Sequence, residues 1–285
     1  MGTVMDRLTD APLEGARIDV RRDTQEIASV PSDASGNFEL IVPIASGTRT
    51  TNLQLAVSKE GYIDSAQVVT VVAGKTIDSR YNFVLQPKAL ADCTSKRARR
   101  VVVGSFRPPA DLPGSGDFNA QVLDALSFAL KDLNLSRIRR SASPDYVACS
   151  EIKKLELLPR YAKVLKADAV VAGSVAKASQ PPKFDLEVSL GSQHEPDNAQ
   201  RRRVSSSNVN LDRPTAARLS NELLSGVVLG LVSGYLEAGE FAECVEISRA
   251  ARQLFPKGLP REVEAVSEKC KASQGSSRLI AGDLK

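Results

Sequence analysis

The 285-residue chain has no tryptophan, one histidine and two methionines, and aromatic residues make up 5% of it. Each shortage removes a class of chemistry. A Ser/His or Cys/His nucleophile pair would have to use His194, which sits in Gln193-His194-Glu195-Pro196-Asp197, a stretch that reads as an exposed loop. Zinc sites gather clustered Cys and His ligands. The four cysteines here, Cys93, Cys149, Cys244 and Cys270, lie far apart and form no CxxC pair. Sparse aromatics leave few platforms for stacking bases, so nucleic acid is not the expected partner. No apolar run reaches the roughly eighteen residues of a membrane span. Leu223 to Leu236 comes nearest, and Ser and Gly interrupt it. No signal peptide is visible, and the first strand opens at Gly2, so the start reads as trimmed. Catalytic, metal and cofactor sites are therefore expected to be absent.

What is present is ordinary for a globular protein: 42% hydrophobic and 25% charged residues. The length suits two or three domains. The net charge of +4 is uneven. Residues 1–88 carry 9 basic and 11 acidic side chains, residues 89–215 carry 20 and 14, and residues 216–285 carry 9 of each. The basic excess thus sits in the middle, where it suits an acidic partner or a lipid surface, or is simply solvated.

Residues 1–87 read as all-β. Short alternating runs recur at 16–20, 38–42, 53–57, 68–71 and 81–85, separated by turn chemistry at Asp33-Ala34-Ser35-Gly36-Asn37, Lys59-Glu60-Gly61 and Ala73-Gly74-Lys75. Regular short strands argue for a sandwich. Gly2-x-Val4-x-Asp6, Pro12-Leu13-x-Gly15-Ala16-x-Ile18-x-Val20, Ser32-Asp33-x-x-Gly36-x-Phe38-x-Leu40, then Leu55-x-Val57 and Gly61-Tyr62 resemble the carboxypeptidase regulatory-like domain. The resemblance implies a transthyretin-like sandwich of about seven strands that packs, spaces or binds and carries no catalysis. Phe38, beside a tight turn, is expected in the core.

Residues 88–100 read as a linker ending in Lys96-Arg97-Ala98-Arg99-Arg100, a solvated run with a binding patch as the sharper alternative. Residues 101–212 read as α/β, a mixed sheet with helices. Val101 to Phe106 is a buried strand by composition. Asp117 is placed to cap a helix whose apolar face is Val122, Leu126, Ala129, Leu130 and Leu133. A second helix is expected over 151–165, bent at Pro159. Ala169 to Val175 and Phe184 to Leu190 form a hairpin about Pro181-Pro182, and a last strand runs from about Arg203 to Leu211. The opening strand, the helix after the loop and Leu165-Lys166-Ala167-Asp168-Ala169-Val170-Val171-Ala172-Gly173-Ser174-Val175 resemble the TolB N-terminal and CsgG-like domains. That resemblance implies service in a cell-envelope assembly.

Residues 213–273 read as helices. Leu219, Leu223, Val227, Leu231 and Tyr235 recur at helical spacing; further helices run from Glu240 to Phe255 and from Arg261 to Lys271. Tyr235, Gly239, Ala251 and Pro256 resemble one tetratricopeptide repeat, with Cys244 in place of a small Ala and Ser248 in place of an aromatic. Residues 274–285 read as a fraying tail.

Smaller motifs have plain readings. Gly114-Ser115-Gly116 before a helix suits an anion but lacks P-loop and dinucleotide spacing. Asp33 to Asn37 offers too few oxygens for calcium and reads as a β-turn. Arg137, Arg139, Arg140, Arg201, Arg202 and Arg203 form a candidate basic patch. The cysteines are the most informative single residues. Cys244 and Cys270 stand symmetrically about the Pro256-Lys257-Gly258 turn, so antiparallel helices would bring them level. The repeat-like alignment instead aims Cys244 at the preceding helix. Elimination pairs Cys93 with Cys149; buried free thiols are the alternative.

The expectation is a multidomain, non-enzymatic scaffold of a bacterial cell envelope, periplasmic, without a membrane span but open to peripheral membrane contact, whose partners are other proteins of an assembly. The alternative is a ligand- or peptide-binding sensory region of a larger signalling protein.

Overall fold

The computed structural model describes residues 1–42, 50–72, 80–94, 99–107, 118–131, 144–179, 183–193, 200–206 and 213–282. The chain divides into two compact units, Met1–Ala91 and Asp92–Lys285.

The first unit holds seven strands: β1 (Gly2–Asp6), β2 (Arg17–Arg22), β3 (Gln25–Pro31), β4 (Asn37–Phe38), β5 (Thr50–Ser58), β6 (Ser65–Val72) and β7 (Tyr81–Leu85). They form two sheets, ordered β4-β1-β7 and β3-β2-β5-β6. β1 runs parallel to β7, and the other pairs are antiparallel. Alternation sends Val4, Ile18, Val20, Leu53, Leu55, Val57, Phe83 and Leu85 into one core, and Phe38 joins them as expected. Two local expectations differ. The run 38–42 leaves the sheet after Phe38. β3 carries no alternation signal in the sequence, because as an edge strand it buries little.

The second unit contains β8 (Arg100–Arg107), α1 (Phe118–Lys131), β9 (Asp145–Ala148), α2 (Leu158–Leu165), β10 (Ala169–Ser179), β11 (Lys183–Gly191), β12 (Gln200–Ser206), α3 (Arg213–Glu237), α4 (Phe241–Ala251) and α5 (Arg261–Gly282). Its sheet is ordered β12-β11-β10-β8-β9. The β9-β8-β10 half is parallel and the β10-β11-β12 half antiparallel, so the sheet is mixed. Val101, Val103, Ala169 and Val171 share one core with Val122 and Leu126 of α1 and with the face Leu219, Leu223, Val227, Leu231 and Tyr235 of α3. Ile247 and Val263 of the last helices join the same cluster. The helices of residues 213–273 thus belong to the same unit as the sheet. The other side of the sheet is covered by α2, which packs on β10 and β11.

Several boundaries moved. The second helix begins only at Leu158, after a 3-10 turn over Leu155–Leu157. Pro159 lies in its first turn, where a missing N–H costs nothing, and so does not bend it. The last strand is described over Gln200–Ser206 and begins three residues earlier than expected, where Gln200 pairs with Leu190; the rest of the expected strand, residues 207–211, lies outside the described residues. β9, four residues long and only partly buried, gives no strand signal in the sequence. α4 ends at Ala251 and gives way to tight turns through Phe255. α5 continues through Gly282, across the stretch read as a tail. A 3-10 turn over Lys88–Cys93 occupies part of the range read as linker.

Candidate functional site

The basic run before β8 was expected in solvent; Arg99 and Arg100 turn inward instead, while residues 95–98 lie outside the described residues. The Arg99 guanidinium donates to Asp168 Oδ1 at 3.1 Å and to Glu240 Oε2 at 3.3 Å. It also lies 5.0 Å from the centre of the Tyr235 ring, within cation–π range. Asp168 is fully buried at the head of β10, and its other oxygen accepts the Arg100 N–H at 2.8 Å. Arg100 Nη1 caps the end of α2 by donating to Leu165 O at 2.8 Å. Burial pushes the Tyr235 phenol well up; Arg99 opposes this, and the Asp168 and Glu240 charges add to it. Sequence reasoning quoted Asp168 only as part of a resemblance. Its signal was a lone carboxylate amid Ala167 and Ala169, a setting in which a buried charge needs a cation. Chemically, this cluster is a network that joins the sheet to α3 and to the turn before α4.

Both expected disulfides are present. Cys93 bonds Cys149 with Cα atoms 5.1 Å apart, and Cys244 bonds Cys270 with Cα atoms 6.1 Å apart. These spans are ordinary for the bond. The two readings of Cys244 turn out to be compatible. It bridges α4 to α5, and its sulfur also lies 3.4 Å from Val232 O on α3. All four cysteines are buried, so the bonds act as structural ties. Such bonds persist in oxidising, extracytoplasmic compartments.

In the first unit, the residues that carried the resemblance prove to hold one another. Asp6 is buried; its Oδ1 accepts the N–H groups of Leu8 and Thr9, and its Oδ2 accepts the Tyr62 hydroxyl at 2.6 Å. Burial, then the bond to Asp6, pushes the Tyr62 phenol up to about 12. Ser32 Oγ accepts Ala16 N–H at 2.9 Å and donates to Leu13 O. Asp33 Oδ1 accepts the N–H groups of Ser35 and Asn37 at 2.9 and 2.8 Å, which makes the Asp33–Asn37 stretch a turn stabilised by its own side chain. Gly36 has φ +72°, and a Cβ there would lie 2.5 Å from Val4 O. Only glycine fits. Residues 1–86 match the carboxypeptidase regulatory-like domain.

This regulatory-like domain also contains Asp19, whose carboxyl is held below its usual value. Burial raises it, but the hydrogen bonds from Arg17 and Ser29 and the charges of Arg17 and Arg21 outweigh that. A shallow cleft of about 380 Å³ in the domain is lined by Asp33, Glu39, Arg80, Thr3, Asn82 and neighbours. Two solved PelC dodecamers from Paraburkholderia phytofirmans, in space groups C2 and P6, are similar to part of the chain. They are 15% and 18% identical, cover 46% and 45% of this chain and 89% and 86% of their own, and each gives a TM-score of 0.25. No curated protein matches the chain.

Of the remaining expected residues, His194, Arg137, Arg139, Arg140, Gly114-Ser115-Gly116 and Asp117 lie outside the described residues. Arg201, Arg202 and Arg203 lie on β12, the edge strand, opposite Ser189, Val188 and Glu187. Among the described residues no group of three or more His, Cys, Asp and Glu side chains is placed to hold a metal ion, and no helix is long and apolar enough to cross a membrane.

Proposed function

We propose that this chain is a non-enzymatic scaffold of a bacterial cell-envelope assembly, working in the periplasm by binding other proteins. The observation that carries this reading is the pair of buried disulfides, which suits an oxidising compartment and a rigid docking body. The regulatory-like domain at residues 1–86 supports an accessory role, since that module packs and spaces. Among the described residues, the buried charge cluster around Arg99 is spent on joining elements. The likeness of residues 101–212 to TolB N-terminal and CsgG-like domains, and of 213–273 to a tetratricopeptide hairpin, fits an assembly component. In-cell crosslinking of the tagged chain followed by mass spectrometry tests the reading. Reproducible crosslinks to envelope proteins are expected. Recovery of the chain uncrosslinked, or with four free thiols under non-reducing conditions, would count decisively against it.

A further inference from the structure

The three-stranded sheet of the first unit carries a polar outer face at the start of β1. Val4, Phe38 and Phe83 are buried beneath the sheet, so alternation turns Thr3, Asn37 and Asn82 outward. The strand register sets these residues in one row, with Thr3 between Asn37 on β4 and Asn82 on β7. The Thr3 hydroxyl donates to Asn82 Oδ1 at 2.9 Å, in keeping with a shared face. Glu39 directly follows β4 and Arg80 directly precedes β7, so they flank β1 on opposite sides. Asp33, in the turn before β4, belongs to the Glu39 side. All of these residues line the cleft of about 380 Å³.

The charges in this cleft are sorted. β4 and β7 stand two strand spacings apart, roughly 9–10 Å. The carboxylates come from the β4 wall and the guanidinium from the β7 wall. Asp33, Glu39 and Arg80 are all exposed. Glu39 and Arg80 form no ion pair with each other or with another described residue. Asp33 spends Oδ1 on the N–H groups of Ser35 and Asn37, which leaves Oδ2 open.

Such sorting selects the ligand. A molecule of one charge sign meets attraction at one wall and repulsion at the other. Phe38, the one aromatic residue of the lining, is buried at 5% exposure and offers no face for stacking a sugar ring. Between the walls, Asn37 offers an amide donor and acceptor, and Asn82 keeps its amide donors, which are the groups a peptide unit pairs with. An extended peptide spans about 3.3–3.6 Å per residue. A dipeptide thus holds its ammonium and carboxylate far enough apart to approach both walls. We propose that this cleft binds a short unblocked peptide, with the ammonium toward Asp33 and Glu39 and the carboxylate toward Arg80. Its volume suits a small occupant, since ligand pockets run from about 300 to 1,000 Å³.

Titration of the full isotope-labelled chain with the dipeptide Ala-Ala, followed by NMR, tests this. Exposed charge contacts are individually weak, so saturable shifts at the Thr3, Asn37 and Asn82 amides are expected with a Kd of roughly 1 mM. N-acetyl-Ala-Ala lacks the ammonium and Ala-Ala-amide lacks the carboxylate; each is expected to bind about fivefold more weakly. Arg80→Gln should weaken Ala-Ala about fivefold and leave Ala-Ala-amide unchanged. Glu39→Gln should weaken Ala-Ala similarly and leave N-acetyl-Ala-Ala unchanged. Glu14→Gln, an exposed change of the same kind in the same domain, should alter nothing. The blocked peptides are tested on the unaltered chain, so the result stands even if a variant folds poorly. No saturable shift by about 20 mM, blocked peptides that bind as tightly as Ala-Ala, or Arg80→Gln behaving like Glu14→Gln would overturn the proposal. Free alanine binding as tightly as Ala-Ala would overturn it too, because its charges lie too close together to meet both walls. The scaffold reading is untouched by either result, since a purified dipeptide replaces every protein partner.

Discussion

Arg99 touches two carboxylates, and burial decides which contact matters. Asp168 is fully buried and Glu240 is 28% exposed. Removing one partner of a buried pair strands a charge and costs about 3–5 kcal/mol, whereas an accessible pair contributes about 0–1 kcal/mol. In urea denaturation, Asp168→Asn is therefore expected to lower the stability of the second unit by about 3 kcal/mol or more, and Glu240→Gln by under about 1 kcal/mol. Equal losses would show that both carboxylates hold the guanidinium alike and that burial does not separate them. Tyr62 gives a pH signature at the same scale. Its phenol titrates near 10 when unfolded and is raised to about 12 in the fold. The folded state thus holds the proton more tightly. The stabilisation is complete below about pH 10 and disappears as pH climbs toward 12. Tyr62→Phe should remove that slope from the regulatory-like domain, as read by the difference between the two denaturation profiles at pH 9 and about pH 11.5.

Among the elements, α3 shows how close approach can override propensity. Gly230 lies inside this helix, where glycine costs about 1 kcal/mol relative to alanine. A Cβ at that position would lie 2.1 Å from the Asp168 carbonyl oxygen, a backbone atom. The glycine lets α3 settle onto the start of β10. Propensity alone predicts that Gly230→Ala stabilises by about 1 kcal/mol; packing predicts a loss of about 1–3 kcal/mol or more. We expect the loss, seen as a lower midpoint in urea, because backbone cannot swing aside as a lysine tip can. This contact also shows what the sequence disclosed and what it hid. The core face of α3 was legible from its spacing, because burial of a long helix repeats. The sandwich was legible because its turns use special residues in order: Asp33, Gly36 and Tyr62 with Asp6. Gly230 and Asp168 were not, since each depends on a partner distant in sequence.

Over the whole molecule, the two covalent ties are confined to one of the two units. Cys93–Cys149 and Cys244–Cys270 both lie within Asp92–Lys285, while Met1–Ala91 has its own sandwich core. The bridges are 56 and 26 residues apart in sequence. Chain-entropy arithmetic for loops of that size gives about 4 and about 3.5 kcal/mol, against a typical domain stability of about 5–15 kcal/mol. Losing both bonds therefore threatens the fold of the second unit outright and leaves the first untouched. Calorimetry with and without reductant should resolve this. One transition is expected to keep its midpoint under dithiothreitol once buried sulfurs have been exposed by mild denaturant. The other should fall by roughly ten degrees or vanish. Cys244→Ala with Cys270→Ala should move the same transition partway, since Cys93–Cys149 still restrains the chain. A reductant effect on the Met1–Ala91 transition, assigned by a fragment of that unit alone, would mean that the two units do not unfold independently.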